Sequence, residues 1–460
     1  MSETSRLPEP ARPSDILGHP KGLAVLCITE GFASFAVYGF EALFALYMTH
    51  ALLRPDRVAR VWGYGPLAHT VQALYGPQNL GAPMASAIAG LFLAFMWVTP
   101  LFAGILADRG FGRTSLIAAG ALLMTFGFVL LPIDRTFLVG LACLLVGYGG
   151  IGTLKAQVGA LYARDDHRRA AAYQLFSLSV QFAVILAPVL GGWLGAQYGW
   201  HAAFMLPAGG MLVAFAVYLV GLRALPPDPA ISGSKVPTPP LDGTAWLTVG
   251  ILVGLLPVLA LVLATNMQIF NTYMIWGERH YALHVVGHEM PVSWLISLDG
   301  AISVIMTVAT LGFWQWRASR GRDPDEIVKM CVGAAIGPFA PLILAFASWH
   351  AAVTPGDHRI GLGWALLFHV VNDLGFANVY AIGMALYSRA APPALNTTLV
   401  SMFVLSLFLT NLIVGKLGTL LDRLTSVQFW LMHAGLGVAG FVILLGMTVM
   451  AYPLLAPRRG

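Results

Sequence analysis

The chain has 460 residues, 58% of them hydrophobic and only 10% charged, with a mean hydropathy of +0.75 and a formal net charge of +5. A soluble domain carries about 25% charged residues, so this composition excludes a soluble globular protein and implies one built in lipid. The apolar runs are long and do not alternate, which points to membrane helices rather than a barrel.

Residues 1–21 are polar and Pro-rich, with no signal-peptide core or cleavage site, and read as a short cytoplasmic tail. The first apolar run, GLAVLCITEGFASFAVYGFEALFALYM at 22–48, carries Glu30 and Glu41. An acid inside a spanning helix costs at least ~2.5 kcal/mol and marks a functional site by default. The two acids are eleven residues apart, which at ~100° per residue puts both on one stripe, roughly 16 Å apart along the axis. That stripe must face something wet or basic.

Runs of spanning length fall at 22–50, 84–108, 114–133, 136–162, 171–197, 201–222, 245–276, 292–316, 327–349, 360–388, 395–421 and 427–454, twelve in all. A long polar loop, 51–83, follows the first. Between the second and third lies GILADRGFGR, in which an Asp-Arg pair, a Gly-rich turn and a further Arg (Asp108, Arg109, Arg113) lock neighbouring helix ends; an ordinary charged loop is the alternative reading. The fourth run holds Lys155 in GYGGIGTLKAQVGALY. A mid-span lysine needs a carboxylate or water, and it lies too far from the charged end at Arg164 to snorkel comfortably. The stretch 224–244 is Pro/Gly/Ser-rich and reads as a linker.

The expected organisation is therefore a tail at 1–21, a six-helix bundle at 22–222, a cytoplasmic linker at 223–244, a second bundle at 245–454 and a tail at 455–460. The inside segments hold 17 of the 26 Lys and Arg and the outside segments seven, which places both termini in the cytoplasm. Two equal halves with such a linker suggest a transporter whose site lies between them.

Past the seventh run, His280, His284 and His288 recur every four residues beside Glu289; on a helix they would stack as a metal or pH-sensing face, and otherwise they are a solvated outer loop. Asp299 and Asp373 place carboxylates in the second half, and an acid in a dry cavity can carry a proton at neutral pH. The bland alternative is that neighbouring hydroxyls satisfy them. His369 and His433 read as structural. Cys27, Cys143 and Cys331, all in apolar runs, read as small apolar residues and not as a disulfide framework.

The GILADRGFGR loop resembles the G-x-x-x-D-R-x-x-G-R signature of the major facilitator superfamily. Three further segments resemble its proton-dependent oligopeptide transporter family: GHPKGL with the first run, the DDHRR loop and fifth run, and MPVSWLISLD. That family carries E-x-x-E-R-F-x-Y-Y-G in its first helix, G-x-G-x-x-K-P-N in its fourth and P-x-S-W-F-Q-S-x-N in its eighth. Glu30, Phe35, Tyr38, Gly39 and Lys155 match. Ala33 and Ser34 replace the second Glu and the Arg, Glu41 stands where a further Arg is usual, and Met267 replaces the seventh-helix Glu beside a retained Gln268. An Arg and the Glu it pairs with are thus lost together, as a deleted salt bridge requires. Trp97 and Gln181 stand where the family offers Tyr and Asn, Asp299 replaces Asn, and Asp373 lies one turn before the tenth-helix position of a Glu, which is Phe376 here.

The resemblance implies an all-α polytopic protein of twelve transmembrane helices in two six-helix halves, working as a monomer in the cell (inner) membrane. It implies proton-coupled symport of di- or tripeptides or peptide-like solutes by alternating access. Proton coupling would fall to Glu30, Glu41, Lys155, Asp299 and Asp373, with Lys155 pairing Glu30 or Glu41. The substrate would meet Tyr38, Trp97, Lys155, Gln181, Gln268, Asn271 and Asp373, and the Asp108, Arg109 and Arg113 loop would gate. The alternative is a transporter of another solute, such as an amino acid, drug or natural product, with altered or absent proton coupling. No cofactor and no metal are expected. The basic residues lie in short loops at the membrane face, which argues against nucleic acid. There is no P-loop, H-E-x-x-H or G-x-S-x-G to support an enzyme.

Overall fold

A computed structural model describes residues 16, 18–162, 166, 168–227, 242–285, 287–355, 358–392 and 395–455. The expected linker and both tails fall largely outside these residues.

Apolar sequence without water leaves the backbone only its own carbonyls to bond, so the spans are helical. Eleven helices among the described residues are long and apolar enough to cross a membrane: Lys21–Leu52, Ala82–Leu106, Arg113–Leu130, Asp134–Ala160, Ala171–Ala224, Gly243–Phe270, Trp294–Ser319, Glu326–Val353, Leu362–Ala390, Thr398–Gly418 and Ser426–Leu455. The fifth is 54 residues long, or ~81 Å at 1.5 Å per residue, far more than the ~30 Å of a bilayer core. It breaks at Gly199, whose φ of 79° suits glycine and strains any other residue. It is two consecutive spans, the fifth and sixth, and the fold has the twelve that the sequence implies.

Two departures from straight helix matter. The fourth span leaves the α-helix after Ile151 and resumes at Leu154–Ala160, where Gly152 approaches the Pro100 ring so closely that a Cβ would lie 2.7 Å from it. The seventh, expected to run to 276, breaks at Asn271 and continues as a separate helix, Thr272–His280. The 51–83 loop also carries structure, with helices Pro55–Val58 and Tyr64–Tyr75. The three histidines do not share a helix face. His280 ends a helix and bonds the Trp276 carbonyl and Ser426, while His284 and His288 sit on opposite strands of a two-residue hairpin, His284–Val285 with His288–Glu289.

One apolar core, from Leu23 to Tyr218, lies within the first six spans; another, from Leu252 to Leu455, lies within the last six. The halves meet along two seams, the second span against the eleventh and the fifth against the eighth. Both seams are closed at the end of the molecule that carries the 51–83 loop. A Cβ on Gly90 would lie 2.4 Å from Gly415 Cα, and one on Gly418 would strike Ser86 and Thr272. Hydrogen bonds lock the same end. Ser293 Oγ donates to the Pro188 carbonyl at 3.0 Å, Trp294 Nε1 to Val189 at 3.2 Å, and Lys416 Nζ to Tyr75 at 2.5 Å, while His50 meets Glu278 at 2.5 Å. Glycine at these contacts lets helix backbones approach, which is how lipid-embedded helices pack.

Candidate functional site

Between the closed end and the opposite face lies a cavity of about 350 Å³ whose wall comes from both halves. The first span contributes Glu30, Ser34, Tyr38 and Glu41, four positions of the stripe that the eleven-residue spacing predicts. Trp97, Lys155 and Gln181 reach it from the second, fourth and fifth spans; Asn266, Asp299 and Asp373 reach it from the seventh, eighth and tenth. The structure thus brings together Glu30, Glu41, Lys155, Asp299, Asp373, Tyr38, Trp97 and Gln181.

Gln268 and Asn271 are not on that wall. Gln268 is fully buried beneath it, with neither side-chain polar atom hydrogen-bonded. Asn271 belongs to the closed seam, where its amide donates to the Ser86 carbonyl at 3.1 Å and its carbonyl accepts from Ser86 Oγ at 2.5 Å. Asn271 is carried into the seam by the helix break at that residue, whereas Gln268, two residues past the lining Asn266, simply lies on the opposite face of its helix. Of the loop residues, Arg109 is exposed, Arg113 opens the third span and is half-buried, and the chain reverses through Gly110 and Gly112 at φ 109° and 73°. The side chain of Asp108 lies outside what the structure describes.

The two walls differ in construction. On the amino side the Glu30 carboxylate accepts from Ser34 Oγ at 3.3 Å and feels the Lys155 ammonium through space. Lys155 is exposed, and no ion pair joins it to Glu30 or Glu41 among the described residues. Glu41 is half-buried with no hydrogen bond or ion pair among the described residues.

On the carboxyl side the acids are buried and linked. Asp299 Oδ1 accepts from His369 Nδ1 at 2.8 Å; His369 Nε2 lies 3.0 Å from the Tyr273 hydroxyl, which lies 3.3 Å from that of Tyr281. With Asp299 ionised and the ring neutral, Nδ1 carries the proton and Nε2 accepts from Tyr273. Asp373 offers a carboxylate oxygen within 4.8 Å of ligand atoms of both Asp299 and His369, and its Oδ1 accepts from Asn266 at 3.5 Å. Its Oδ2 has no partner, although the residue is only 1% exposed. Both ring nitrogens of His369 are already engaged, so the trio is a poor fit for a metal ion. The sequence alone makes His369 a structural residue, and the structure instead puts it at the centre of the trio. The available signal was its place four residues before Asp373, which puts the two on one helix face.

Aromatic rings complete the wall. Phe376 and Tyr380 stack with centroids 5.2 Å apart and planes 9° apart, and Tyr38 faces Phe270 across the halves at 6.2 Å.

Twelve spans in two halves around a shared central cavity, closed at one end, are the architecture of a membrane transporter. The Major Facilitator Superfamily model matches residues 26–415, and the chain belongs to that superfamily. Within it the chain is similar to peptide transporters. It is 22% identical to the peptide transporter YePEPT of Yersinia enterocolitica over 87% of this chain and 88% of that one. It is also 22% identical to a di-/tripeptide transporter of Lactococcus lactis, covering 93% and 95%. Its fold superposes on a crystal structure of the peptide transporter POT in complex with sulfate with a TM-score of 0.79 at 20% identity, covering 97% and 96% of the two chains.

Proposed function

We propose that this chain moves di- or tripeptides, or peptide-like solutes, across the inner membrane by alternating access, driven by protons. The observation that carries the reading is the central cavity, where Glu30, Glu41, Lys155, Asp299 and Asp373 converge from both halves. The sequence resemblance and the full-length likeness to peptide transporters support the solute class. The excess of Lys and Arg on the loops expected inside supports cytoplasmic termini. In that orientation the closed seams face outward and the described conformation opens toward the cytoplasm. The reading needs one chain only, because both walls of the site come from it.

In this reading the Asp299–Asp373 pair with His369 holds the coupling proton, since two enclosed carboxyl groups this close favour sharing one. Lys155 and Glu30 form the amino-side charge pair, and Tyr38, Trp97 and Gln181 shape the solute site. Purified protein in proteoliposomes under an inward proton gradient, with a labelled dipeptide and in parallel its labelled amide, tests it. Lys155→Ala is expected to abolish proton-driven uptake; full retained uptake overturns the assignment.

A second reading is a major facilitator transporter of another solute with altered or absent coupling. It is favoured by Ala33, Ser34 and Met267, which remove a charged pair at the heart of the resemblance. Counterflow without a pH gradient, over peptides and non-peptides, separates the two.

A further inference from the structure

The charge of the cavity wall is lopsided. Among the described residues four carboxylates line it, Glu30, Glu41, Asp299 and Asp373, against one cation, Lys155, and no arginine. Lys155 already acts on Glu30, and one proton between Asp299 and Asp373 accounts for half of that pair. Glu41 is left with no basic partner, and the buried Oδ2 of Asp373 is left with no hydrogen bond among the described residues. An unpartnered acceptor buried in a cavity wall asks for a donor from the cavity's contents. The rest of the lining supplies amide and hydroxyl groups and the ring faces of Trp97, Phe270, Phe376 and Tyr380. Such faces attract cations through their quadrupoles.

We infer that the transported solute is an organic cation: it carries an ammonium or similar positive group toward Glu41 and Asp373, and it lacks a free carboxylate. Within the peptide-like class proposed above, on which this rests, that means a peptide amide, an amine-terminated derivative or a diamine, not a zwitterionic dipeptide. A free carboxylate entering the cavity would meet four acids against the single ammonium of Lys155, whose field already acts on Glu30. Like charges brought together in this way reject a ligand as effectively as good contacts select one.

Four small probes decide it, each competing for binding to the purified protein and for counterflow in proteoliposomes. They are alanyl-alanine, alanyl-alanine amide, N-acetyl-alanyl-alanine and 1,4-diaminobutane. The amide is expected to bind at least about tenfold more tightly than the free dipeptide, with the acetylated anion not binding. Glu41→Arg is expected to reverse the order of amide and dipeptide. If that variant does not fold, Glu41→Gln is expected to narrow the gap several-fold. Binding of the free dipeptide equal to or tighter than the amide overturns the cation inference and leaves the peptide reading standing. Binding of the diamine without either dipeptide form upholds the cation inference and overturns the peptide reading. Failure of both cations to bind overturns the inference outright.

Discussion

The amino-side and carboxyl-side walls of one cavity carry similar residue types and are built on opposite principles. Glu30, Glu41 and Lys155 are half-buried or exposed, and among the described residues their side chains make one hydrogen bond, from Ser34 to Glu30 at 3.3 Å. Asp299, His369 and Asp373 are buried and knitted to Tyr273 and Asn266. A charge left under-partnered at a wet wall is available to a ligand. A charge locked into a buried network is available chiefly to a proton, because anything larger would leave its partners unsatisfied; in this network the unpartnered Oδ2 of Asp373 is the atom left for a ligand. The difference teaches that burial and partnering, more than residue type, divide the labour between the two halves.

Four measurements break or sharpen this contrast. The largest effect is expected from His369→Ala, which strands the Asp299 carboxylate in the interior. A loss of about 3–5 kcal/mol of stability follows from breaking a buried pair, read as a lowered melting temperature in detergent. A drop no greater than that of Lys155→Ala would show the buried trio is not the tighter structure. Next, Asp373→Asn keeps the shape but removes a proton acceptor. Proton-driven uptake should fall by about tenfold or more, equivalent to ~1.4 kcal/mol, and lose its dependence on pH. Counterflow of the same solute should fall several-fold less than proton-driven uptake; an equal fall would mean that Asp373 serves the solute and not the proton.

Tyr273→Phe removes one hydroxyl from the network and leaves His369 Nε2 without its partner. A cost of about 1–3 kcal/mol is expected for the unsatisfied group, measured by thermal unfolding beside the wild type. The smallest effect belongs to the amino wall: Glu30→Gln should change stability by less than ~1 kcal/mol, since its charge makes no direct ion pair, while transport falls. A large loss of stability there would mean that the amino wall is a structural network too.

Much of this was legible before any coordinates. Twelve spans follow from run length and apolar composition because a bilayer leaves the backbone no other hydrogen-bonded solution. Glu30, Glu41, Lys155, Asp299 and Asp373 stand out because a charge in lipid is too costly to be idle, and all five line the cavity. The separate apolar runs at 171–197 and 201–222 imply two spans, and the 54-residue helix does turn between them, at Gly199 with its positive φ.

What the sequence could not decide were the places where one residue changes direction for everything after it. Gln268 and Asn271 resemble site residues in a helix drawn straight. Gln268 lies on the face opposite the lining Asn266 and is buried, and the break at Asn271 gives that residue to the seam with Ser86. His369 looks like any buried histidine until the eighth and tenth spans pack and bring Asp299 within 2.8 Å of its ring. Local composition determines which segments enter the membrane and which charges must be accommodated, because both are set by transfer from water. Only the packing of twelve helices decides which charges share a wall and which are sealed behind it. That depends on crossing points and backbone breaks whose energies are spread over many contacts far apart in the chain.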